Sequence, residues 1–144
     1  MFTPAYARAA NAYKSVRVET GVPNADPHHL VHLLFEELLQ AIANARGSLA
    51  RKQVPEKCAS ISRAVRILDE GLKASLNTTR GGELADNLGF LYEYCIKQLI
   101  MANAQNDDAA LAEVRKLIEP LAQAWAQISP AELAKAKSAS VTGA

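Results

Sequence analysis

Three side chains near the start of the first long apolar repeat are the best candidates for metal chemistry. His28, His32 and Glu36 are spaced at i, i+4 and i+8, so on a helix they share one face. Zinc accepts imidazole and carboxylate ligands at such a spacing. Only one helix would supply them, however, whereas metal sites in helical bundles draw ligands from several helices. The pattern therefore favours a solvated polar face and predicts no metal site and no cofactor.

The other residues that could carry chemistry lack the partners that their chemistry needs. Gly81 and Gly82 open a predicted helix, but no lysine follows in the register of a phosphate-binding loop. Cys58 and Cys95 fall on apolar helical positions without an obvious activating neighbour, which favours two free, buried thiols over a disulfide. No serine and histidine form a recognisable nucleophile arrangement. We therefore expect no catalytic residues and no enzyme.

Composition restricts the class of protein further. The chain has 144 residues, 49% of them hydrophobic but only 6% aromatic, and a formal charge of +1. This length suits one domain with an aliphatic core. A charge near zero argues against a nucleic-acid partner, which usually requires a basic face. No apolar run approaches the roughly 18 residues of a membrane span and no secretory signal opens the chain, so we expect a cytosolic protein without stable membrane insertion.

Apolar residues recur at helical spacing along most of the chain and predict four long helices. Asp26-Pro27 is a typical helix start, and Asn106-Asp107-Asp108 is expected to cap the fourth helix. Pro120 lies inside that helix and is expected to kink or locally break it. Four helices of similar length with short links favour an all-α, antiparallel four-helix bundle. The first and third helices are expected to cover about 27–51 and 82–104. The second is expected to begin at Pro55 and its apolar stripe reaches Leu76, whereas the stripe of the fourth extends from Leu111 to Ile128.

The two ends of the chain differ from the bundle, which is expected to cover residues 26–129. In residues 1–25 a weak apolar stripe leads into a linker with Gly and Pro, which predicts a short helical cap segment. Residues 130–144 are rich in Ala, Lys and Ser and have little to bury, so we expect a frayed, flexible tail.

The predicted third helix carries a wider apolar surface than a single packing contact with a neighbouring helix would bury. Two explanations remain open at this stage. Residues 1–25 could cover the surplus permanently as a fifth core element, or they could form a detachable cover over a groove for an amphipathic partner helix. Besides its main stripe the helix has two apolar flanks, which are Tyr92, Ile96 and Ile100 on one side and Phe90, Tyr94 and Met101 on another.

Short motifs occur along nearly the whole chain in an order and spacing that are specific only in combination. They are Ala12-Tyr13, Val18-Glu19-Thr20, Ala25-Asp26-Pro27-His28-His29-Leu30, Leu33-Leu34-Phe35-Glu36, Ala64-Val65-Arg66-Ile67-Leu68, Gly81-Gly82-Glu83-Leu84-Ala85-Asp86-Asn87-Leu88, Leu91-Tyr92-Glu93-Tyr94, Ala102-Asn103, Asn106-Asp107 and Ala124-Trp125. With these motifs the sequence resembles the bacterial flagellin export chaperones, the FliS family.

The resemblance implies a non-enzymatic helical bundle of the cytosol. Such a chaperone binds the disordered C-terminal region of flagellin, prevents premature polymerisation and delivers the subunit to the cytoplasmic domain of the flagellar type III export-gate protein. The family contains monomers and homodimers. Its N-terminal segment covers part of the binding surface and contributes to docking at the gate. By motif position this role implicates Tyr13 and its neighbours, including Val16, with Tyr6 as a weaker candidate.

An unfolded amphipathic client needs an apolar surface on which to fold. The third helix is expected to supply part of this surface, and the first helix another part unless its residues belong to the core. The candidate flagellin-binding residues are Leu34, Leu38, Ile42, Leu91, Tyr92, Ile96 and Ile100.

Two functions of other classes also remain open. One is a structural or regulatory bundle that self-associates through the same apolar surface, without a client. The other is a metal-dependent bundle enzyme with its metal on the face of His28 and His32.

Overall fold

The computed structural model describes residues 26–76 and 82–128, and this part of the chain is helical except for caps and turns. The second helix, α2 (residues 54–76), comprises an α-helix Val54–Arg66, a π-helix Ile67–Lys73 and a last α-helical turn Ala74–Leu76. Within these described residues, the all-α fold with four helices is confirmed. The expected cap segment 1–25 and tail 130–144 lie outside the described residues, so these boundaries stay predictions. The other helices are α1 (Pro27–Ala50), α3 (Gly82–Gln105) and α4 (Asp108–Gln127).

The four described helices are arranged around the core in the same order as in the sequence. Each packs against its neighbours in the sequence, and α4 also packs against α1. Contacts between helix ends establish the directions. Arg46 near the end of α1 binds Asp108 at the start of α4, and Lys57 near the start of α2 binds Asn103 near the end of α3. The bundle is therefore antiparallel, with up-down-up-down topology.

Capping residues fix the starts of α1 and α4, as the sequence predicted. The Asp26 carboxylate accepts a hydrogen bond from the His29 N–H at 2.8 Å, and Pro27 occupies the first helical position. The Asp107 carboxylate accepts from two N–H groups in the first turn of α4, at 3.0 and 3.4 Å. These bonds satisfy donors that a helix start leaves without intrahelical partners.

Pro120 lies inside α4, which continues as one helix from Asp108 to Gln127. Of the two expected effects, a break is excluded, whereas a kink at this residue stays a prediction. Proline removes one backbone donor, here the partner of the Lys116 carbonyl. Because both residues are exposed, water can replace that bond at little cost.

One aliphatic core fills the space between the helices. Full burial of a Leu, Ile or Val side chain contributes about 1.5–3 kcal/mol. Cys95 belongs to this core, and burial raises the pKa of its thiol to about 11. Cys58 is half-buried, and both thiols are free, as predicted. The largest fully buried side chains are Leu34, Leu38, Ile42, Ile61, Leu68, Leu72, Cys95, Leu99, Leu111, Val114 and Ile118.

The π-helical part of α2 lies where this helix packs against α1. A Cβ atom added to Gly71 would lie 3.2 Å from both methyl carbons of Leu34. The missing side chain therefore allows the backbone of α2 to approach Leu34 closely. Apolar spacing did not predict this change of helix type, because a π-helix differs from an α-helix by backbone register and not by composition.

A buried lysine joins the start of α2 to the turn between α3 and α4. Lys57 is only 2% exposed. Its Nζ donates to the Asn103 carbonyl at 2.9 Å and to Asn106 Oδ1 at 2.5 Å. Asn106 has a left-handed backbone, with φ of 53°, and ends α3. The ammonium group therefore meets carbonyl oxygens at the negative end of the α3 dipole, which favours a cation.

The ion pair between α1 and α4 is expected to weaken at low pH. Arg46 donates two hydrogen bonds to the Asp108 carboxylate, at 2.9 and 3.0 Å, and these bonds lower the pKa of Asp108. A lowered carboxyl pKa stabilises the fold above the unfolded-state pKa, and that stability is lost as pH falls through the folded-state pKa. Because the pair is exposed, we expect Arg46→Met to cost at most about 1 kcal/mol at neutral pH. Urea unfolding should find this difference reduced at acidic pH, and a constant difference would contradict the expectation.

Candidate partner-binding surface

Exposed apolar side chains among the described residues concentrate on α3. Five of the six large exposed hydrophobic residues belong to this helix, and the sixth, Val54, starts α2. Phe90 is 73% exposed and Ile100 is 56% exposed. The sequence predicted this surplus of apolar surface on α3. The five residues are Leu84, Phe90, Tyr94, Ile100 and Met101.

The four candidate binding residues of α3 do not form one surface. Tyr92 is buried, which raises the pKa of its hydroxyl, and Ile96 is half-buried against the core. Leu91 is also half-buried against the core, whereas Ile100 is exposed. Nine residues separate Leu91 from Ile100, which places them on opposite sides of an α-helix. Only Ile96 and Ile100 share an edge of α3.

This edge of α3 faces α2. Glu93 lies seven residues before Ile100, on nearly the same side of the helix. Its carboxylate accepts a hydrogen bond from the Lys73 ammonium group of α2, and this contact lowers the pKa of Glu93. We call Ile96 and Ile100 the α2-side edge.

The candidates on α1 belong to the core. Leu34, Leu38 and Ile42 are fully buried in the cluster formed by all four helices. This is the second of the two roles that the sequence left open for them. A partner could contact them only in a bundle that has opened.

A second apolar surface follows the outside of α3. Phe90, Tyr94, Lys97 and Met101 are all exposed, and their spacing of 4, 3 and 4 residues aligns them along the helix within about 60° of its circumference. We call these four residues the outer stripe. The sequence separated its three apolar members from the main stripe but indicated no role for them.

Polar contacts hold Tyr94 toward α4. Its hydroxyl donates to the Glu113 carboxylate, which raises the pKa of Tyr94, and accepts from Gln98 Nε2 at 2.8 Å. The carboxylate of Glu93, which precedes Tyr94 in the chain, instead binds Lys73 of α2. In the middle of the outer stripe, Tyr94 therefore has an acidic partner on its α4 side.

The candidate metal ligands have other partners. The His28 ring stacks on Trp125 of α4 with centroids 4.9 Å apart, and Trp125 Nε1 donates to the His28 carbonyl at 2.9 Å. His32 Nε2 lies 3.1 Å from the Glu36 carboxylate. Within residues 26–76 and 82–128, no three His, Cys, Asp or Glu side chains are arranged to hold a metal ion. His28 instead joins the start of α1 to the end of α4.

The fold and this surface together define an all-α bundle that presents an apolar helix face. None of its described helices combines the length and the apolar character needed to span a bilayer. The sequence family follows from comparison with known proteins. A family model described as "Flagellar protein FliS" matches residues 9–132.

Named relatives cover most of the chain. The "Flagellar secretion chaperone FliS" of Salmonella typhimurium is 44% identical over 124 residues, which cover 86% of this chain and 92% of the relative. The "Flagellar secretion chaperone FliSB" of Pseudomonas aeruginosa is 43% identical over 122 residues, covering 85% and 96%. The FliS of Bacillus subtilis is 30% identical over 114 residues, covering 79% and 84%. The chain belongs to the FliS family. Secretion chaperones are not a class of enzymes.

Proposed function

We propose that this protein is a cytosolic chaperone of flagellar secretion that binds the disordered C-terminal region of flagellin. Family membership supports this proposal, since the relatives are named flagellar secretion chaperones. The observation that carries it in the structure is the apolar surface left exposed on α3, outside a core that is already filled. Such a surface suits a client that folds as it binds.

The α2-side edge is the part of the predicted surface best placed to contact a client. Ile100 is exposed, and Ile96 lies one turn away, half-buried against the core. Covering the exposed part of Ile100 would contribute about 1 kcal/mol. Binding therefore requires many modest contacts along the client, as expected for a disordered segment that wraps around a folded surface.

Covering the client is also the physical basis of the proposed role in assembly. A segment whose apolar face is bound to the chaperone cannot use that face to pack against other flagellin subunits. The complex would then deliver the subunit to the cytoplasmic domain of the export-gate protein. Tyr6, Tyr13 and Val16, proposed for the N-terminal cap and gate docking, lie outside the described residues.

Calorimetric titration with the C-terminal segment of the same organism's flagellin tests the proposal. We expect one-to-one binding, a negative heat-capacity change from apolar burial, and a gain of helicity by circular dichroism. Absence of binding to the folded protein would contradict the proposed client.

Ile100→Asp is expected to weaken flagellin binding about tenfold, because a carboxylate at an apolar contact must lose its water. Since Ile100 is exposed, the helicity and melting temperature should change little. Leu84→Asp is the matched control, because Leu84 is exposed on the same helix and an acid is favourable in its first turn. Equal loss of affinity in both variants would indicate a general charge effect and contradict a specific role for the α2-side edge.

A further inference from the structure

Lys97 lies in the middle of the exposed apolar surface of α3. On the surface of a helix, the neighbours of a residue are three and four positions away. For Lys97, three of these four neighbours are large exposed apolar side chains, and the fourth is Glu93. Lys97 therefore joins the α2-side edge to the outer stripe, and a partner that covers both surfaces must also cover this lysine. The three apolar neighbours are Tyr94, Ile100 and Met101.

Two carboxylates adjoin this part of α3, and both accept hydrogen bonds from other groups. Glu93 accepts from the Lys73 ammonium group, and Glu113 accepts from the Tyr94 hydroxyl. Lys73 lowers the pKa of Glu93 most, and the charge of Lys97 lowers it further from a greater distance. In the described part of the chain, no carboxylate forms an ion pair with Lys97. Its ammonium group is therefore free to bind an acidic group of a partner.

We propose that Lys97 selects the client by binding a carboxylate in it. The expected partner is an amphipathic stretch of the flagellin segment whose apolar face contains one aspartate or glutamate. Apolar residues on either side of that acid would cover Phe90 toward the start of α3, and Ile100 and Met101 toward its end. The inference rests on the proposed function and adds to it the chemistry of the sequence that this surface accepts.

Loss of water makes this contact selective. A client that covers the apolar neighbours of Lys97 displaces water from the ammonium group, and a buried cation without an acceptor is costly. A carboxylate at this point supplies the acceptor, whereas a purely apolar segment forces the lysine to extend outward to reach water. Charged groups at an interface in this way fix the register of a partner and disfavour wrong partners.

Calorimetric titration of Lys97 variants with the flagellin segment tests this contact. Lys97→Glu brings two like charges together and should weaken binding about tenfold. Lys97→Met keeps the apolar stem without the charge and should weaken binding about threefold. Lys116→Glu makes the same charge change at an exposed position of α4 and should change the affinity less than about twofold. Since both lysines are exposed, circular dichroism and the melting temperature should stay unchanged in all three variants.

The salt dependence of binding separates an ion pair from a contribution of the lysine stem alone. Salt screens charges, so the wild-type affinity should fall as NaCl rises from about 50 to about 500 mM. The affinity of Lys97→Met should fall less steeply, because this variant has lost one charge contact. Equal slopes would mean that the charge of Lys97 contributes nothing to binding.

A charge exchange identifies the acidic residue of the client. Each Asp and Glu of the flagellin segment is changed to Lys in turn and titrated against the wild type and against Lys97→Glu. One of these changes should weaken binding to the wild type and restore binding to Lys97→Glu, as two directly interacting residues do in a double-mutant cycle.

Three results would overturn the inference. They are equal affinities of Lys97→Glu and Lys116→Glu, equal salt dependence of the wild type and Lys97→Met, and the absence of any client change that restores binding to Lys97→Glu. Each of them refutes the role of Lys97 alone, since the wild type still binds its client. A folded wild type that does not bind the segment refutes the proposed function and this inference with it.

Discussion

Leu38→Ala is expected to lower the free energy of unfolding by about 3–5 kcal/mol, as a cavity-forming change in a packed core does. Leu38 is fully buried among residues of all four helices, so the surrounding side chains have little room to fill the space. Chemical denaturation followed by far-ultraviolet circular dichroism measures the change. The loss should appear as a lower midpoint with an unchanged slope.

The neighbouring Leu39→Ala is the control, because Leu39 is only half-buried at the edge of the same core. Its expected loss is clearly smaller. If Leu38→Ala leaves stability nearly unchanged but abolishes flagellin binding, Leu38 contacts the client and the core assignment is wrong. This comparison therefore decides between the two roles that the sequence allowed for the α1 residues.

Lys57→Met should destabilise the protein by about 1.5–3 kcal/mol, because it removes the hydrogen bonds of a buried charged group. Methionine keeps most of the lysine volume but cannot donate to the Asn103 carbonyl or to Asn106 Oδ1. The turn between α3 and α4 should loosen locally. Hydrogen exchange of the Asp107 N–H, which donates to the Ala102 carbonyl at 3.0 Å, reports on this turn.

Lys116→Met removes the same kind of charge from an exposed position and should change stability by no more than about 0.5 kcal/mol. An equal effect of the two substitutions would mean that net charge, and not the buried contacts of Lys57, determines the loss. An unchanged exchange rate at Asp107 would show that Lys57 does not hold the turn.

Local signals in the sequence predicted the helices and most of their ends. Asp26-Pro27 and Asp107 act within one turn of the residues they cap, so neither depends on the rest of the fold. Pro120 shows what local signals leave open, because α4 continues through it. Its cost depends on whether the carbonyl that loses its donor can reach water, and only the packing of α4 decides that.

Sequence reasoning missed the two features that depend on distant partners. A lysine in an amphipathic helix is normally exposed, and nothing near Lys57 in the sequence indicates that the α3–α4 turn supplies its acceptors, the nearer of them 46 residues away. The reason for a glycine at position 71 likewise lies in a distant residue. Leu34, which belongs to another helix, occupies the space that a side chain at this position would need.

The spacing of apolar residues in the sequence was sufficient to predict that α3 has more apolar surface than a single packing contact with a neighbouring helix can bury. Tertiary structure decided which side chains remain exposed. Because α2 and α4 both pack against α3, they cover Tyr92 and half-cover Leu91 and Ile96. Phe90 and Met101 stay exposed. A helical pattern records which residues share a side of a helix, but only the neighbouring helices determine which side lies inside.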